Sequence, residues 1–118
     1  TIAPGDVYII AHPDSAAEIL AEADETFTYM SNGDDGFALV YGTETDYVVV
    51  DTLGDFNGDP GTGWEVAGVA SATANHTLVR KATVTTGNAN WDSSRGTNDT
   101  DSEWIVMAQD DWTNLGVR

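Results

Sequence analysis

Apolar residues in this chain fall in short runs, separated by clusters of Gly, Pro, Asp, Asn and Ser. That rhythm predicts many short strands joined by turns. Pro4-Gly5-Asp6 is a turn signal, and the β-branched and aromatic run Val7-Tyr8-Ile9-Ile10-Ala11 after it reads as a buried strand. Pro13-Asp14-Ser15 then opens a short helix over about 15–23. Asp14 or Ser15 is the expected N-cap, Glu18 supports the first turn, and Ala16, Ile19, Leu20 and Ala23 share one face.

Phe27-Thr28-Tyr29-Met30 is predicted as a second strand, followed by the turn cluster 31–36. Phe37 to Tyr41 and Tyr47 to Asp51 form a third and a fourth, paired as a hairpin across Gly42-Thr43-Glu44-Thr45. Residues 54–63 are too rich in Gly, Asp and Pro for regular structure, and Trp64 to Ala70 suggests a short turn of helix. His76 to Lys81 is a fifth strand, with Leu78 and Arg80 on one face and Thr77 and Val79 on the other. Thr85 to Asp101 is predicted as a polar loop enclosing Trp91, and Glu103 to Met107 as the last strand. Strands at this density, with almost no helix, point to a β-sandwich or barrel in a single domain over 1–118.

Composition narrows the chemistry. Four Lys and Arg stand against 20 Asp and Glu, a formal net charge of −16. Binding a duplex or an anionic membrane rests on cationic side chains neutralising phosphate, so neither is an expected partner. The chain has no cysteine, which removes disulfides, thiol nucleophiles and zinc thiolates. No apolar run approaches the roughly 20 residues of a membrane helix.

Several segments, in order, carry a family resemblance: Pro4-Gly5-Asp6-Val7-Tyr8-Ile9-Ile10, Asn32-Gly33-Asp34-Asp35-Gly36-Phe37-Ala38-Leu39, Asp59-Pro60-Gly61 with Trp64, and Thr77-Leu78-Val79-Arg80-Lys81. Gly87-Asn88 with Trp91-Asp92, Ser102-Glu103-Trp104-Ile105-Val106 and Leu115-Gly116 complete the series. Together they resemble the bacterial branch of the lamin tail domain family. The resemblance implies an all-β, immunoglobulin-like β-sandwich with one short helix and no catalytic residues. It also implies a structural or binding module of a secreted or cell-surface protein, in adhesion or scaffolding, or the accessory domain of a secreted nuclease or phosphatase. The family's opening strands have no counterpart before Pro4. One sheet edge near Val7, Tyr8, Ile9 and Ile10 is therefore expected to be open to a protein strand, including self-association into a filament or surface scaffold.

The one metal candidate is Asp55-Phe56-Asn57-Gly58-Asp59. The alternation of Asp55, Asn57 and Asp59 can aim hard oxygens at a calcium ion. The loop departs from an EF-hand, with Pro60 in the glycine position and Val66 where a bidentate Glu belongs. An ordinary Gly/Asp-rich turn is the commoner meaning of such a stretch. His12 and His76, the two histidines, read as turn or strand-surface residues. Of the four tryptophans, Trp112 is the one expected to be exposed, while the resemblance implies that the other three stand at positions the family keeps aromatic or apolar and pack in the core.

Overall fold

A computed structural model of the protein describes residues 2–117. Its regular structure is mostly strand: β1 (Ile10–Ala11), β2 (Glu25–Thr26), β3 (Phe37–Gly42), β4 (Tyr47–Leu53), β5 (Thr77–Arg80) and β6 (Trp104–Met107), with helices α1 (Ala17–Glu22) and α2 (Trp91–Arg95). These strands form three two-stranded sheets, β1–β2, β3–β4 and β5–β6. The chain gathers into two compact units, Thr1–Met30 with Asp111–Arg118, and Ser31–Asp110.

In the first unit, β1 runs parallel to β2 with Ile10 opposite Glu25 and Ala11 opposite Thr26. The strand predicted over 7–11 is cut to two residues because backbone pairing, not propensity, sustains a ladder. Only Ile9 and Ala11 accept amides across it, from Asp24, Glu25 and Phe27. Phe27–Met30 forms no strand for the same reason, and Tyr29 is 84% exposed. α1 begins later than predicted, and its N-cap is Ala16 with no side-chain cap bond. Asp14 and Ser15 are held in a turn instead, their amides donating to Nδ1 (3.1 Å) and the carbonyl (2.9 Å) of His12.

The second unit holds the apolar core. Val66, Ala72 and Trp91 are buried together, with Leu53, Trp64, Leu78, Trp104 and Val106 packed around them. Three tryptophans meet edge to face there, Trp64 on Trp91 at 6.3 Å and Trp91 on Trp104 at 6.4 Å between ring centroids. Such pairs add directional preference to the area they bury. Trp112 is 42% exposed, as its position suggested.

Two local predictions in this unit are corrected. Residues 64–70 do not turn as a helix. Val66 and Val69 instead exchange backbone hydrogen bonds of 3.1 and 2.9 Å across Ala67 and Gly68, whose φ values of 54° and 80° are both left-handed. Positive φ at both central residues is the turn that matches strand twist. The loop around Trp91 contains α2. Asn90 caps it by accepting the Ser93 amide, Asp92 and Arg95 suit the two ends of the helix dipole, and Gly96 ends it.

Candidate interaction surface

The β3–β4 hairpin forms as predicted. Phe37 lies opposite Leu53, Leu39 opposite Asp51, Val40 opposite Val49, Tyr41 opposite Val48 and Gly42 opposite Tyr47. The register shifts between Leu39 and Val40, which leaves Val50 as the extra residue of a bulge on β4. Directly opposed residues share a face, so Phe37, Leu39, Tyr41 and Val48 line one side. Ala38, Val40, Val49 and Tyr47 line the other. Every residue from Phe37 to Val50 is exposed. The hairpin is thus apolar on both faces yet covered on neither, with Tyr41 at 78%, Val48 at 60% and Leu39 at 52% exposure.

The base of the hairpin is tied to the core. Leu53 packs against the core cluster, and the Thr52 amide donates to the Asn88 carbonyl at 3.2 Å. Gly87 runs so close to β4 that a Cβ there would collide with the Val50 carbonyl. Asp51 is fixed most firmly. Its carboxylate accepts from Arg80 Nη1 at 2.9 and 3.1 Å, Arg80 Nη2 at 3.2 Å and the Asn88 amide at 2.9 Å. Arg80 also donates to Glu103 at 2.5 Å and lies 4.5 Å from the centroid of the Trp104 ring. Asn88 closes the ring of contacts by donating to Glu103 Oε1 and Ser93 Oγ, each at 2.9 Å.

This clasp joins β4, β5 and β6 through one guanidinium, whose planar fork engages two carboxylates at once. Burial would push the Glu103 carboxyl up. Hydrogen bonds from Asn88 and Arg80, the Arg80 charge and the Ser94 hydroxyl outweigh it and hold the group below the usual carboxylate range. Sequence reasoning missed the clasp. Arg80 sharing a face with the core residue Leu78 was its one local signal.

The tip and the approach to the hairpin are acidic. Asp34 and Asp35 precede β3, and Glu44 and Asp46 lie in the connecting loop. The cations Arg80, Lys81 and Arg95 are each engaged with an acid of this unit: Asp51 and Glu103, Asp99, and Asp92.

No protein-family model matches the chain, and no curated protein or solved structure matches it. The likeness to lamin tail domains rests on its sequence segments alone.

The remaining candidates are placed as follows. Asp55 accepts the Asn57 amide at 2.8 Å, and Asp59 accepts the Gly61 amide at 2.9 Å, so each carboxylate closes its own short turn. Among the described residues, no three His, Asp or Glu side chains come together in a group that could hold a metal ion. Turn chemistry accounts for the positions of the Asp55 and Asp59 carboxylates. His12 and His76 belong to different units. Each is engaged locally, His12 with the Asp14 amide and His76 Nδ1 with the Ala74 carbonyl at 2.9 Å. Along Val7–Ile10, the Ile9 amide donates to Asp24 Oδ2 at 2.8 Å and its carbonyl accepts from Asp24 and Glu25, so that stretch is partnered on one side. No helix among the described residues is long and apolar enough to cross a membrane.

Proposed function

We propose that this chain is a non-catalytic binding module that presents the β3–β4 hairpin to another polypeptide. In this reading the hairpin belongs to an immunoglobulin-like sandwich of a secreted or cell-surface protein, completed by strands from outside the described chain. The observation that carries the reading is the hairpin itself, apolar on both faces and exposed from Phe37 to Val50. Leaving one large aliphatic or aromatic side chain in water forgoes roughly 1.5–3 kcal/mol of burial. Strands apolar on both faces are those that lie covered on both sides in a finished sheet. A lone two-stranded hairpin is marginal in water, and here the Asp51–Arg80 clasp and Leu53 hold its base while its distal part stays free.

Panning a displayed library of random extended peptides on the folded chain tests this. Clones should enrich on the native protein and be lost on a Leu39→Asp, Val48→Asp double variant, with the near-ultraviolet signal of the tryptophan core unchanged. Equal enrichment on both proteins overturns the hairpin as the binding surface. Turnover of a phosphate ester, nucleic acid, ester or glycoside substrate that disappears with His12→Ala or His76→Ala overturns the non-catalytic reading.

A further inference from the structure

We infer that the occupant of the hairpin is a single β-strand with an apolar centre and basic ends, supplied by a different polypeptide and added along the outer edge of β3. This rests on the hairpin being the binding surface and adds the partner's chemistry and its place of attachment.

The edge is assigned by comparing the two strands. β4 pairs with β3 on one side, while its other side is closed over its base by the Thr52–Asn88 hydrogen bond and the close approach of Gly87 to Val50, which leaves only the short stretch Tyr47–Val49 open there. β3 pairs with β4 alone. Among the described residues no backbone hydrogen bond reaches Phe37–Gly42 from its other side. An edge of unpaired amides and carbonyls flanked by exposed apolar side chains is a template for strand addition, in which the backbone supplies affinity and alternate side chains supply selection.

Charge selects the partner. Asp34 and Asp35 lie at the start of that edge, and Glu44 and Asp46 at its end. A second copy of the chain is disfavoured in either direction. Antiparallel self-pairing centred on Leu39 and Val40 sets Asp35 of each copy opposite Glu44 of the other. In-register parallel pairing sets Asp35 beside Asp35 and Glu44 beside Glu44. Like charges directly opposed across strands are destabilising, and each copy carries a net charge of −16. Arg80, Lys81 and Arg95 already face acids of their own unit and cannot offset the repulsion. A strand with Lys or Arg at both ends meets an acid at each end of β3, and its apolar side chains pack beside those of β3 on the same hairpin face.

A short peptide alternating valine and threonine with lysines at both ends is the probe, titrated against the full chain by fluorescence anisotropy. The controls are the same peptide with glutamates at its ends and one with N-methylated central residues. The lysine peptide is expected to bind about tenfold or more tightly than the glutamate peptide at low salt, and to weaken as salt is added. N-methylation should abolish binding, because it removes backbone donors and keeps the side chains. The Asp35→Lys, Glu44→Lys double variant should reverse the preference between the charged peptides; both side chains are exposed, so the fold is spared. Equal binding of the two charged peptides, or an unchanged preference in the double variant, overturns the basic partner and leaves the hairpin reading intact. Undiminished binding of the N-methylated peptide overturns strand addition. Lysine-peptide binding that survives Leu39→Asp, Val48→Asp overturns the hairpin reading as well. Concentration-dependent dimerisation abolished by the same double variant would assign the edge to a second copy and overturn the inference.

Discussion

Arg80 shows how much one side chain can hold in a protein with so few cations. It carries two carboxylates and the face of Trp104, and the three strands it joins have no ladder linking β4 to the β5–β6 pair. Replacing it leaves Asp51 and Glu103 facing each other with no cation between them and only Asn88 donating to both, at a cost of about 2–4 kcal/mol for a partly buried site of this kind. Arg80→Ala should lower stability by that order in urea denaturation, and Arg80→Lys should recover only part, because an ammonium cannot bridge both acids in the same plane. A loss below about 0.5 kcal/mol in Arg80→Ala would show that the clasp holds nothing together. The same site sets an acid dependence. Glu103 and Asp101 both sit below their ordinary pKa, Asp101 through the Thr97 hydroxyl and the Asn98 and Thr97 amides. A group depressed on folding stabilises the native state above its unfolded pKa and loses that contribution as the pH falls through its folded value. The midpoint of denaturation should therefore fall once the pH drops below the ordinary carboxylate range. Glu103→Gln should flatten that fall.

At the scale of the element, short pieces persist here where their ends are capped and their side chains reach the core. α2 is five residues long, below any length that is helical in isolation. It persists because Asn90 caps it, Trp91 and Ser94 are buried, and Ser94 Oγ accepts the Trp104 indole N–H at 2.8 Å. Gly96 ends it with φ 64° and ψ −173°, a conformation open in practice to glycine alone. A Cβ at that position would lie 2.5 Å from Asp101 Oδ1 and from the Ser102 Cα. Gly96→Ala should thus combine backbone strain with a clash and destabilise by roughly 2–4 kcal/mol, read as a lowered melting temperature. Wild-type stability in that variant would mean that the α2 terminus differs from the geometry described. The β3–β4 hairpin is the opposite case, long and strongly β-forming yet anchored only at its base.

For the whole molecule, the excess of negative charge outweighs any single ion pair. A net charge of −16 repels itself in any compact state, and salt screens that repulsion over a Debye length of about 10 Å at 0.1 M. Sodium chloride should raise the melting temperature, even though it weakens the Arg80 clasp, because three engaged cations are outnumbered by 20 acids. Calcium chloride at equal ionic strength should do no more than the sodium salt. A calcium-specific rise that Asp59→Ala removes would instead make Asp55, Asn57 and Asp59 a cation site. A melting temperature that falls with salt would show that local ion pairs outweigh the global repulsion.

Much was legible in the residues themselves. The pattern of apolar runs located β3, β4, β5 and β6 within a residue or two at each end, and the hairpin followed from the turn between its strands. The division of the tryptophans into three core residues and an exposed Trp112 followed from the family resemblance of the segments that hold them. The exclusion of thiol chemistry was also readable, since composition does not depend on the fold. These properties are local or additive. What depended on long-range pairing was not legible. Val7–Ala11 and Phe27–Met30 have the propensity of strands, but a strand exists only where a partner reaches its backbone, and the fold brings Asp24 to Phe27 to the first while only the Phe27 amide of the second meets it. The residues of the Asp51–Arg80–Glu103 clasp likewise lie far apart in the chain. Their meeting was decided by the packing around Trp91, and no local pattern encodes a meeting of that kind.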